Sequence, residues 1–171
     1  MLSKSIKIKM LVWDVFKGIR FRQLKMLMLF LFKRPFFFIS TIKATFNVLR
    51  ISQREFPNTH GFNNKANAFR HALWNVFIAK QCSLFSRKSH EIILWTKEFT
   101  DWHEDFSPND ELPRIMDLHN NYIGRELFLK TPKSTQNQWV ILLKEQLEYA
   151  VQIVSVEDVE NYPRQLVYLE T

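Results

Sequence analysis

Apolar residues recur at helical spacing through most of this chain. Residues 10–33 are densely apolar and read as a helix, which Pro35 ends or whose successor it starts. Phe38, Ile42, Phe46 and Leu49 then fall at i, i+4, i+8 and i+11, one face of a second helix. Residues 55–66 are rich in Pro, Gly and Asn and form the clearest loop. Helices are predicted over about 67–80, about 89–104 with Ser89 as N-cap, about 111–129 and about 135–155. In the third of these, Asp110 is the cap and Pro113 falls in the first turn, where proline is tolerated. In the fourth, Trp139, Leu143, Leu147, Ala150 and Val154 share one side. The run Leu166-Val167-Tyr168-Leu169 reads as extended. The prediction is an all-α fold, a single domain of about five to six helices over residues 1–171. A polar cluster lies between the three helices that begin near 67, 89 and 111.

Composition agrees with helices: the 171 residues include only three Gly, 46% are hydrophobic and 15% aromatic, which excludes a largely disordered chain. Cys82 stands alone, so no disulfide or Cys-based zinc site is expected, and it reads as a small buried residue near a helix end. Charge divides the chain. Residues 1–60 hold twelve Lys or Arg against Asp14 and Glu55, a net +10, whereas the remainder nets −3. The apolar run Met26–Phe32 is too short to span a bilayer and is followed by Lys33-Arg34-Pro35, so neither a transmembrane helix nor a secretory signal is expected. A cytoplasmic location is the reading. Residues 1–54, with Trp13, Phe16, Phe21, Phe30, Phe32 and Phe36 to Phe38 among the basic residues, suit an anionic membrane surface on its inner face. They contain no nucleic-acid-binding motif.

The candidate chemistry sits on second faces that a helix normally gives to water. On 67–80, Phe69, Leu73 and Val76 make an ordinary core face, but nearly opposite stand Asn67, His71 and Asn75, beside Trp74. A face of that kind is expected to be covered, with its polar atoms paired. On 89–104, Ile92, Thr96, Phe99 and His103 form one stripe, which places His103 inside and Glu104 toward the rim. On 111–129, Asp117, Asn121, Gly124 and Phe128 share a face, with Asn120 beside it. Gly124 costs a helix roughly 1 kcal/mol against Ala, so its presence there predicts close approach by another helix or a ligand. His119 points away from Asp117 if that helix is continuous.

Imidazoles and carboxylates from three helices form a ligand set for zinc, manganese or iron. The reading takes His71, His103 and Asp117 as ligands, Glu104 as general base, and Arg70 or Arg125 as clamp on an anionic substrate. Asn67, Asn75, His119, Asn120, Asn121 and Gly124 complete the site. The competing reading is a buried network that fixes helix packing. No H-E-x-x-H is present, since His103-Glu104 is followed by Asp105-Phe106-Ser107. Ser107, Thr96 and Thr100 sit in no nucleophile elbow.

The strings Asn-Ala-Phe-Arg-His-Ala-Leu-Trp-Asn (67–75), Phe-Thr-Asp-Trp-His-Glu (99–104) and Met-Asp-Leu-His-Asn-Asn-Tyr-Ile-Gly-Arg (116–125) resemble an uncharacterised bacterial family. Its members carry R-H-x-x-W-N, H-E and M-D-x-x-N-N-x-x-G in that order. The likeness covers about residues 60–130, and the basic N-terminal segment is similar to that of stand-alone Bacteroidetes-type members. It implies that Arg70, His71, His103, Glu104, Asp117, Asn120, Asn121 and Gly124 form a shared site, and it supplies no reaction. A looser likeness is to metal-dependent phosphohydrolases whose site reads His, His-Asp, Asp, here His71, His103-Glu104, Asp117, with Glu in the place of Asp. Two functions follow as expectations: a metal-dependent hydrolase acting on a phosphate- or ester-containing substrate, or a non-catalytic peripheral-membrane or adaptor module whose cluster is structural.

Overall fold

The computed structural model describes residues 21–57, 59, 62–106 and 110–170. The part of the expected 10–33 helix before residue 21, with Trp13 and Phe16, lies outside the described residues, as does Ser107. The chain divides into two compact units, Met1–Pro35 and Phe36–Thr171. Within the first, α1 spans Phe21–Lys33. The second holds nearly all of α2 (Pro35–Glu55), then α3 (Lys65–Cys82), α4 (Ser89–Phe106), α5 (Glu111–Lys130), α6 (Gln136–Glu148), the short β1 (Val151–Gln152), α7 (Asp158–Asn161) and β2 (Val167–Tyr168). The all-α class is as predicted. The extended tail is β2, which pairs in parallel with β1 through Val151↔Val167 and Gln152↔Tyr168.

In the second unit, α3 is the central helix, packed against α4, α5 and α6. It is buried on both its apolar and its polar face, from Ala66 to Ala79 with Arg70 alone half-exposed. Asn64 caps its start, accepting from the backbone N–H groups of Ala66 and Asn67, so the helix begins at Lys65, two residues before the expected start. Cys82 is its last residue and fully buried.

Several boundaries differ from expectation for local reasons. Ser89 is the first residue of α4 rather than its cap. Asp110 holds the N-cap position of α5 without a side-chain cap bond. The helix expected over 135–155 stops at Glu148, because the chain turns at Tyr149 and Ala150 to reach β1. On α2 the buried seam is Phe37, Ser40, Thr41, Ala44, Val48 and Ser52, and the predicted Phe38, Ile42, Phe46 and Leu49 only flank it. Hydroxyls explain the swap. Thr41 accepts the Trp95 indole N–H at 3.0 Å, and the half-buried Thr45 accepts that of Trp74 at 2.8 Å.

Candidate metal and hydrolytic site

The site forms where α3 and α5 come closest. An added Cβ at Gly124 would lie 2.2 Å from the backbone oxygen of Ala72, so only glycine lets these two backbones touch. The glycine thus serves helix approach, one of the two reasons its sequence position suggested. His71 lies next to Ala72, and Asn121 and Asp117 lie one and two turns before Gly124. The contact therefore presses the polar face of α3 onto that of α5, and α4 supplies Glu104 from the side.

His71, Glu104 and Asp117 are buried, and each offers one ligand atom such that all three lie within 4.8 Å of one another. Around the imidazole, Nδ1 lies 3.3 Å from Glu104 Oε1 and 3.3 Å from Asn121 Oδ1. Nε2 lies 3.0 Å from Arg70 Nη2 and 3.4 Å from Asp117 Oδ1. Arg70 can only donate, so Nε2 presents its lone pair; both oxygens at Nδ1 accept, so Nδ1 carries the hydrogen. A carboxylate on one ring nitrogen with the other left as a lone pair is the arrangement that orients histidine ligands toward metals.

The amides and hydroxyls behind the ring form one chain of bonds. Asn121 Nδ2 donates to Glu104 Oε1 at 2.8 Å. Asn75 Nδ2 donates to Asn121 Oδ1 at 2.6 Å and to the His71 carbonyl at 3.1 Å. Arg125 Nη1 donates to Asn75 Oδ1 at 2.9 Å, and the Thr100 hydroxyl lies 3.3 Å from the same oxygen. Asn67 Oδ1 accepts from Arg70 Nη2 at 3.2 Å.

The two carboxyls are driven apart in acidity. Burial pushes Glu104 up, but the hydrogen bonds it accepts from His71 and Asn121 help to hold it below its ordinary value. Burial dominates at Asp117; Glu104 adds to it, His71 and Arg70 oppose it, and the carboxyl is pushed up to about 6. Pairs of titratable groups separated in this way are a mark of acid–base sites.

Several expected roles change hands. His103 is exposed and stands edge-on to the Trp74 ring at 5.1 Å, outside the ligand group. Glu104, expected at the rim, is only 1% exposed and joins His71 and Asp117 in the group that could hold a metal ion. The buried stripe of α4 is Ile92, Thr96, Thr100 and Glu104, bordered by Trp95 and Phe99. The expected stripe takes one step of three, from Thr96 to Phe99, where the buried stripe steps by four to Thr100. Arg125 is buried and braces Asn75 and Thr100, which leaves Arg70 as the cation at the ligand atoms. Thr100 was missed as a network member, although its spacing of four from Glu104 was visible.

Asn120 and His119 serve the tail instead. Asn120 donates to the Val167 carbonyl at 2.8 Å and accepts from the Val167 N–H at 3.0 Å. His119 Nε2 lies 2.8 Å from the Gln165 carbonyl, and α5 is continuous through 117–119, which turns His119 away from Asp117 as expected. The tail is further held by the Leu169 N–H on the Asn63 carbonyl at 2.7 Å.

The model of one protein family, Domain of unknown function (DUF6973), matches residues 28–151. The chain belongs to that family. The DUF6973 match takes in α2 to α6 whole, and with them every residue of the His71–Glu104–Asp117 cluster and its network. Membership of a domain family of this kind is what the three motif strings implied. Comparison with curated proteins and with solved structures gives no match. Among the described residues of this DUF6973 chain, no helix is long and apolar enough to cross a membrane.

Proposed function

We propose that the cluster binds one divalent metal ion, zinc, manganese or iron, and hydrolyses a phosphate- or ester-containing substrate. The observation that carries this reading is the convergence of His71, Glu104 and Asp117 from three helices to within 4.8 Å. His71 Nε2 and Asp117 Oδ1 are 3.4 Å apart, close to the edge of a tetrahedron whose ligand bonds are about 2.1 Å. Glu104 either orients His71 through Nδ1 or completes the ligand set. Buried charge points the same way: Glu104 and Asp117 both lie beside Arg70, and burial raises the Asp117 carboxyl to about 6, so added positive charge there would favour its ionised form. A bound metal supplies a water acidified toward neutrality. His71 Nε2 and Asp117 Oδ1 would hold the ion, and the half-exposed guanidinium of Arg70 beside them would be placed to meet a phosphate or carboxylate.

The proposed location is the cytoplasmic face of an anionic membrane, reached through residues 1–54. Helix α1 supports this. Phe21, Leu24, Met28 and Phe32 recur along one face and are exposed, with Arg22, Lys25 and Lys33 and no acidic residue in the helix.

The second reading keeps the membrane and drops the chemistry: an adaptor whose cluster only fixes the packing of α3, α4 and α5. The unbroken chain Arg125–Asn75–Asn121–Glu104 favours it. A hydrolysis panel of chromogenic phosphomonoester, phosphodiester and carboxylic ester substrates, run with each metal and with chelator, separates the two. The hydrolase reading expects metal-dependent turnover that Asp117→Asn and Arg70→Ala abolish. Turnover that is absent throughout, or unaffected by both variants, refutes it.

A further inference from the structure

Outside the polar cluster, the second unit carries an apolar surface that its packing leaves uncovered. Leu84 is 68% exposed, Phe36 63% and Phe85 55%. Phe36, at the start of α2, stacks on Phe85 with ring centroids 5.3 Å apart. The turn after α3 is held in shape by the Leu84 N–H on the Gln81 carbonyl and the Phe85 N–H on the Cys82 carbonyl. Ile39 and Lys43, three and seven residues past Phe36 on the same helix, are exposed as well. Arg87 is exposed just beyond the turn. Lys88 next to it pairs with Glu91 at 3.0 Å. No acidic residue occurs in the turn or in α2 before Glu55.

We infer that Phe36, Ile39, Leu84 and Phe85 enter the interface of an anionic bilayer while Lys43 and Arg87 meet lipid phosphates. This gives the second unit its own lipid contact, independent of α1. It rests on the membrane reading for its partner, and Leu84, Phe85 and Arg87, which lie outside residues 1–54, supply its separate evidence.

Charge and shape choose lipid over other occupants. A second copy of the chain would set Lys43 and Arg87 against their own equivalents with no carboxylate between them. A nucleic acid would satisfy the cations but gain little from the aliphatic Ile39 and Leu84. A bilayer takes both: aromatic and aliphatic side chains below the headgroups, Lys and Arg among them. A rigid turn presenting two bulky apolar side chains next to a cation loses little conformational freedom on insertion.

The test uses the full chain with vesicles of phosphatidylcholine alone and with added phosphatidylserine. Leu84→Ser/Phe85→Ser is made beside Phe21→Ser/Phe32→Ser, with circular dichroism confirming unchanged helix content for these exposed positions. Each pair is expected to weaken partitioning into phosphatidylserine vesicles by on the order of tenfold or more, and Arg87→Glu to reduce its salt sensitivity. A nitrobenzoxadiazole probe on Ser86→Cys reads the turn directly and should brighten and shift to the blue on binding. Wild-type binding that Leu84→Ser/Phe85→Ser leaves unchanged, with no shift of the probe, overturns this inference while the α1 anchor stands. No wild-type binding overturns both. Stronger retention by RNA or DNA oligonucleotides than by the vesicles overturns it in favour of nucleic acid, and a self-association that Leu84→Ser/Phe85→Ser abolishes overturns it in favour of a second copy.

Discussion

His71 Nε2 faces Asp117 Oδ1 at 3.4 Å across the junction of α3 and α5. The ring nitrogen that meets Asp117 is the one left with a lone pair, because Glu104 and Asn121 occupy Nδ1. Burial there favours the neutral acid of Asp117 more than water does, and its carboxyl is pushed up to about 6.

A pH dependence follows. Asp117 titrates at about 6 in the folded chain against a usual 3.8. Its folded value is raised, so the native state holds this proton more tightly than the unfolded chain does. This contribution lowers stability as pH rises from about 4 to about 6, and the loss persists above that, on the order of 3 kcal/mol. Asp117→Asn removes it. Urea melts in chelator should show the variant more stable than wild type above pH 6 and nearly level with it at pH 4. Equal stability at both pH values would contradict the account of Asp117.

Gly124→Ala sets helix propensity against packing. The gain is roughly 1 kcal/mol. The cost is larger, because the new methyl meets a backbone carbonyl at 2.2 Å and no rotamer change relieves it; overpacking of this kind costs on the order of 3 kcal/mol. A lower urea midpoint is expected, together with weaker metal binding as α3 and α5 separate. A neutral or stabilising result would show that the helices can part freely there.

Asn75 and Asn120 should behave differently although both are buried amides. Asn75→Ala leaves the buried Arg125 and Asn121 short of partners and should cost on the order of 3 kcal/mol. Asn120→Ala loses two bonds to Val167, costs on the order of 2 kcal/mol, and should speed hydrogen exchange at the Val167 amide while leaving metal affinity unchanged. Loss of metal binding in Asn120→Ala would bring the tail into the site.

The fold and the site were legible in the sequence to different depths. Helical spacing reveals the six longer helices in order but neither β1 nor the four-residue α7, and a glycine on a polar face signals close approach, which proves to be that of α3. Asn67, His71 and Asn75 at spacing four marked the covered face of α3 because no Lys or Glu interrupts it. The exchange between His103 and Glu104 was not legible. Neighbouring residues on a helix differ by about 100°, and a stripe containing both Phe99 and Thr100 continues equally well to either. Only the position of Trp74, which claims the His103 side, decides. The seam of α2 is hidden for another reason: the buried Thr41 and the half-buried Thr45 accept from two indole N–H groups, Trp95 and Trp74, which lie 54 and 29 residues away in sequence.

Calorimetric titration of chelator-stripped protein with zinc, manganese and ferrous iron, at neutral pH and again near pH 5, tests the central claim most directly. The account predicts one equivalent per chain for at least one of the three ions, with a rise in Tm. Affinity should fall more than about 100-fold in His71→Ala and Asp117→Asn, stay unchanged in His119→Ala, and weaken at the lower pH because Asp117 must release its proton. Folded protein that gives no binding heat and no shift in Tm with any of the three ions would contradict it, and the cluster would then be a packing network.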